Sequence, residues 1–270
     1  MRNDEQEIQD ATEMKTQTIP DEGLQEEIAR LIGRLFWRSP VYENSPEVAI
    51  ARLSAIGVPA FEPLLHALQH PNPEVRVNVI RCFRFMRSLC ANVVDVLIQL
   101  LDDPYISVRG HALWALENHN ERLKPHVEAL ICKLDDPYIQ DSIVPILAKI
   151  GPEAKGAIPY LTKRLQTFYS EPSKYVKSKY FASGVEAAYA LATIRPGNAQ
   201  AIGALVSALG SSSVWEAGQA ARILGRLTPP TVSAIPALKC ATMGEPHLAH
   251  EARNAILRIQ KRSMTEVTTP

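Results

Sequence analysis

The chain has 270 residues, 46% hydrophobic and 21% charged, with 29 basic and 29 acidic side chains. This is a core-forming composition. No apolar run approaches the ~18–20 residues that cross a bilayer, and the polar N-terminus is neither a secretory signal nor a transit peptide, so a cytoplasmic protein is expected. Four cysteines, Cys82, Cys90, Cys132 and Cys240, fit no zinc spacing and no CxxC motif. They read as reduced, mostly buried thiols.

Residues 1–27 carry nine acids against Arg2 and Lys15, a net of −7, so the remainder carries +7. Residues 1–20 read as a disordered acidic tail, with docking on a basic surface as the alternative. Residues 21–56 predict two capping helices. Asp21 opens the first, which bears Leu24, Ile28, Leu31, Leu35 and Phe36; Ser45-Pro46 opens the second, which bears Val48, Leu53 and Ile56.

From 57 to 262 the chain repeats. The hexapeptide Leu-Asp-Asp-Pro-Tyr-Ile occupies 101–106 and recurs 33 residues later at 134–139. The same frame recurs as Ala157-Ile158-Pro159, Ala201-Ile202-Gly203 and Ala234-Ile235-Pro236, giving units that begin near Val58, Ala91, Arg122, Pro152, Pro196 and Pro229. Each reads as two helices. The first carries leucines at i and i+4, such as Leu64/Leu68, Leu97/Leu101 and Leu161/Leu165; the second carries small and apolar residues at helical spacing, such as Val108, Ala112, Ala115 and Leu116. One pair cannot bury its own stripe, but stacked pairs can. Residues 263–270 read as a disordered tail.

The pattern A-x-P-x-L…D-x-x-x-x-V-R-x-x-A…L…I-G resembles the HEAT repeat, and is closest to the short form named for phycobilisome lyases. The resemblance implies an all-α fold, an armadillo-like α-solenoid of about six helix pairs behind an N-terminal helical cap. It also implies that the doubled hexapeptide is an inter-helix corner. There Asp and Pro stop the first helix, and Tyr105/Tyr138 and Ile106/Ile139 pack between neighbouring corners. In the family, a corner Asp and the Arg seven residues later form a ladder between repeats; Asp102 and Arg109 keep that spacing, and the ladder is expected to be incomplete in the third unit.

Chemistry finds little support. A HEAT hydroxylase would need several His-Glu pairs for its metals, and only His250-Glu251 stands at a matching place. There is no HExxH pattern, no GxGxxG and no phosphate loop. No cofactor or metal is therefore expected. The body's modest basic excess argues against nucleic acid. If the chain is an enzyme at all, the repeat subtype points to bilin attachment, on analogy of fold alone.

The exposed positions of the second helices form two columns. One reads Arg81, Trp114, Pro145, Tyr189, Arg222, Asn254; the other reads Phe85, Asn118, Lys149, Thr193, Arg226, Arg258. Trp, Tyr, Phe and Arg off the apolar stripe are the residue types of binding hot spots, although Trp114 and Tyr189 could also serve to pack neighbouring helices. Unit four carries an insertion, 167–181, in which Lys174, Lys177 and Lys179 interleave with Tyr169, Tyr175, Tyr180 and Phe181. It reads either as a second binding element or as a lengthened helix with a solvated lysine side. The expected function is a non-enzymatic scaffold that binds another protein through Arg81, Phe85, Trp114, Asn118, Tyr189, Arg222, Arg226 and Asn254, with Tyr175, Lys177 and Tyr180 from the insertion. The alternative is a bilin-lyase-like or enzyme-accessory HEAT protein.

Overall fold

The computed structural model describes residues 21–36, 45–86, 89–117, 119–170 and 184–267, and all regular structure among them is helical. The chain divides into two units, Met1–Arg87 and Ser88–Pro270. No single helix among the described residues is long and apolar enough to span a membrane.

The first unit holds α1 (Asp21–Arg34), α2 (Pro46–Ile56), α3 (Phe61–Ala67) and α4 (Pro73–Phe85). Helix α2 starts where the sequence places it, with Ser45 extended before Pro46 at the first turn; a proline there forfeits only an N–H that would have no helical partner. Gly57 ends α2 at φ 72°, a left-handed conformation that glycine adopts without a Cβ penalty. Ile28, Leu31, Leu35, Leu53, Leu64, Val79 and Phe83 make the core of this unit.

The second unit is a run of helix pairs. The first helices are α5 (Ala91–Gln99), α8 (Val127–Cys132) preceded by the short α7 (Asn120–Leu123), α10 (Ile158–Ser170), α12 (Ala199–Ala208) and α14 (Ile235–Ala241). Their partners are α6 (Ile106–Leu116), α9 (Gln140–Ile150), α11 (Gly184–Ile194), α13 (Val214–Leu224) and α15 (Pro246–Val267). The second helices lie side by side in chain order, α6 on α9, α9 on α11, α11 on α13 and α13 on α15. With α3 and α4, this gives the six pairs expected of the solenoid. The leucines that define the frame are buried: Leu64, Leu97, Leu101, Leu161, Leu165, Leu205 and Leu238. Each is worth about 1.5–3 kcal/mol of transfer free energy. Helix α15 runs to Val267, so residues 263–267, expected as disordered tail, continue the last helix. The expected tail 1–20 lies outside the described residues.

The repeated hexapeptide is one corner built twice, with the same aspartate forming the turn each time. Asp103 Oδ1 accepts from Tyr105 N, and Asp136 Oδ1 accepts from Tyr138 N, both at 2.9 Å. Asn72 does the same for Glu74 N at 2.9 Å. The second aspartate of each pair therefore forms the turn, leaving the first for other partners. Arg76 and Arg109 then tie their own corners: Arg76 Nη1 donates to His70 O and Pro71 O, and Arg109 Nη1 donates to Asp103 O and Pro104 O. The ladder also differs from the expected pairing of Asp102 with Arg109. Arg109 Nε lies 3.0 Å from Asp136 Oδ2 of the next corner, a charge contact with a poorly directed N–H rather than an aligned hydrogen bond. Asp102 instead bonds Lys133 of the next pair. Of the four side chains expected between corners only Ile139 is buried; Tyr105, Ile106 and Tyr138 are exposed. The Arg109 guanidinium stands 6.0 Å from the Tyr138 ring centroid, and it holds the place between corners that the aromatics were expected to fill.

The cysteines depart from expectation too. Cys82 is buried, Cys90 is half-buried, and Cys132 and Cys240 are exposed.

Candidate functional site

Helical periodicity decides which side of each second helix is free. In α6, Val108, Ala112, Ala115 and Leu116 are wholly buried, which leaves Trp114 on the opposite flank. Trp114 is 40% exposed, and its ring meets His111 edge-on at 6.0 Å. His111 is oriented by Nδ1, which donates to Ser107 O at 2.7 Å. On the following second helices the equivalent positions, Pro145, Tyr189, Arg222 and Asn254, are all partly exposed. The second unit thus brings Trp114, Tyr189, Arg222 and Asn254 onto one row of adjacent helices, while Arg81 and Phe85 belong to the first unit. Phe85 is 56% exposed, and Arg81 contacts Glu47 at 3.5 Å and Asn78 Oδ1 at 3.4 Å. Asn118, Tyr175, Lys177 and Tyr180 lie outside the described residues, as does the insertion from residue 171. Helix α10 reaches Ser170, so its first four residues, 167–170, extend a helix.

Ion pairs cross the row between neighbouring second helices. Lys149 Nζ on α9 bonds Glu117 Oε1, just past α6, at 3.0 Å. Arg222 on α13 forks onto Glu251 on α15, through Nη2 at 2.9 Å and Nε at 3.3 Å. The Arg222 guanidinium, together with His247 and His250, holds the Glu251 carboxyl below its usual range. A two-point arginine fork fixes orientation as well as charge, so Arg222 is first a tie between repeats. His250, which sequence paired with Glu251, is spoken for by Asn254 Nδ2 at 2.9 Å.

One titratable group of the second helices stands apart. Glu186, in the first turn of α11, has its pKa raised to about 7 by burial and by the Asp141 carboxylate, partly offset by Arg164. Arg164 bonds Asp141 and donates to Gln140 Oε1 at 3.0 Å; the Tyr160 hydroxyl meets that same oxygen at 2.7 Å. Sequence reasoning missed this junction of α9, α10 and α11, because its members come from three helices, up to 46 residues apart in the chain, and follow no motif.

No curated protein matches the chain in sequence. A crystal structure of an engineered protein aligns with 74% of this chain and 98% of its own, at 22% identity and a TM-score of 0.50. The CpcE–CpcF complex of phycocyanin lyase from Nostoc sp. PCC7120 aligns with 93% and 98% of the two chains at 20% identity, TM-score 0.47. A designed armadillo repeat protein in complex with the peptide (KR)4 aligns with 86% and 99% at 20% identity, TM-score 0.40. The family model for HEAT repeats matches residues 43–117 and 94–177, together half of the sequence. With its paired helices, shared corners and stacked leucine frame, the chain belongs to the HEAT-repeat family.

Proposed function

We propose that the chain is a scaffold that binds another protein, holding it on the second-helix row from Trp114 to Asn254. One observation carries this reading. Every stripe residue of α6 is buried, yet Trp114 stays 40% exposed beside an oriented His111, on the same row as the partly exposed Tyr189. Large, stiff aromatics in such positions supply contact area at low entropic cost. The repeat supports the reading in a second way: a solenoid presents one position of each pair at regular spacing, which suits an extended segment.

The test uses the intact chain as bait for a displayed library of random peptides. Enriched peptides are expected to bind the wild type and to lose at least about tenfold in affinity against Trp114→Ala with Tyr189→Ala, at unchanged far-ultraviolet helicity. Undiminished binding by that variant would remove the row from consideration. A coloured, stoichiometric complex with an open-chain tetrapyrrole would replace the scaffold reading by a lyase-like one.

A further inference from the structure

We propose that Arg226 and Arg258, the exposed members of a cluster of four arginines where α13 and α15 converge, form a clamp for a carboxylate-rich peptide segment of the bound protein; this rests on the second-helix row being the binding face. Arg258 and Arg262 are spaced by four on α15 and so lie along one side of it, while Arg222 stands in the last turn of α13 and Arg226 in the turn just past its end. The chains approach closely there: a Cβ on Gly225 would stand 2.7 Å from Ala255 Cα; Gly225 directly precedes Arg226, and Ala255 lies about one helical turn before Arg258. Arg262 Nη1 crosses over and donates to Arg226 O at 2.9 Å and Leu227 O at 3.4 Å. That contact satisfies carbonyls of the turn just past α13, on the side of its negative dipole end.

The cluster is under-neutralised among the described side chains. Glu251 is committed to Arg222. Glu216 is bonded to Ser211 at the opposite end of α13, and Glu245 precedes α15. From residue 187 onward the sequence has eight Lys and Arg against four Glu, a net of +4. Arg226 and Arg258 are exposed. Guanidinium groups match carboxylates through two parallel N–H donors. Two exposed forks beside the row suit a short run of Asp or Glu; a nucleic acid draws on many more cations along its phosphates.

The test is fluorescence anisotropy of labelled decaglutamate against the full chain at low salt, with decaglutamine and a short oligodeoxythymidine as comparisons. Decaglutamate is expected to bind, decaglutamine not, and the binding is expected to weaken with added salt. Arg226→Glu with Arg258→Glu is expected to cost at least about tenfold in affinity at unchanged helicity; the milder Arg226→Gln with Arg258→Gln gives a smaller loss in the same direction. Lys239→Glu with Arg253→Glu changes net charge equally. Both residues are exposed, and Arg253 lies on the other side of α15, so this pair is expected to retain binding. Equal binding by wild type and the Arg226/Arg258 variants would overturn the clamp, as would equal losses in both charge-reversal pairs. Tighter binding of the oligonucleotide than of decaglutamate, lost in the Arg226/Arg258 variants, would overturn it in favour of nucleic acid. Library peptides that still depend on Trp114 and Tyr189 would leave the row intact if the clamp fails. Library peptides indifferent to those two would end the row reading whatever decaglutamate does.

Discussion

Two side chains translate their surroundings into solution behaviour at the scale of single residues. Glu186 is held at a pKa of about 7, against 4.5 for an ordinary glutamate. The folded state therefore retains the proton over a range in which the unfolded chain has lost it. Stability contributed by the neutral form is full below pH 4.5, falls as pH rises, and is gone above about 7. Glu186→Gln removes the ionisation and is expected to raise stability at pH 8 by roughly 1 kcal/mol, after allowing for the partial exposure of the group, with little change near pH 4; urea unfolding at the two pH values reads this out. Cys82 shows the opposite extreme of access. Burial pushes its thiol up to about 12, while Cys132 and Cys240 are exposed. A thiol-disulfide reagent is expected to modify Cys132 and Cys240 in the native protein and to reach Cys82 only on unfolding. Composition could identify all four as free thiols, but it could not rank their burial.

Corners and crossings decide the behaviour of the elements. The 33-residue frame was legible in the sequence because the buried leucines and the Pro-started helices repeat with it, and local patterning of that kind survives in any environment. The choice between adjacent aspartates was not. Asp102 and Asp103 are equivalent as turn formers in sequence, and only the backbone path assigns Asp103 to the turn and sends Asp102 to Lys133. The same limit hid the true partner of Arg109, which is fixed by where the next corner comes to rest. Asp136→Ala is expected to cost about 1–2 kcal/mol, since it removes both the acceptor for Tyr138 N and the charge facing Arg109. Asp135→Ala is expected to cost less, and chemical unfolding of the two variants gives the comparison. Gly225 makes a sharper case. Its backbone conformation suits any residue, φ −71°, but a side chain would drive into the Ala255 backbone. Gly225→Val is expected to destabilise the protein by about 1–3 kcal/mol, seen as a lower thermal midpoint.

For the molecule as a whole, the repeat architecture was readable from sequence and the site only in part. The columns of second-helix positions placed Trp114, Tyr189, Arg222 and Asn254 on one row of the second unit, because a helix repeated in register repeats its exposed flank. The columns could not tell a residue offered to solvent from one already engaged. Arg222 serves as a fork onto Glu251, and Asn254 holds His250. The arginine clamp likewise needed the helix crossing at Gly225 and Ala255, as Arg262 is 36 residues from the carbonyl it satisfies. What the row exposes is aromatic toward α6 and α11 and cationic toward the ends of α13 and α15. The most direct test of the binding claim is photo-cross-linking, with p-benzoylphenylalanine placed at Tyr189 and, in a separate protein, at the exposed Lys163 of α10. Library-selected peptides are expected to cross-link from position 189 and not from 163. Cross-linking from 163 with none from 189 would contradict the account.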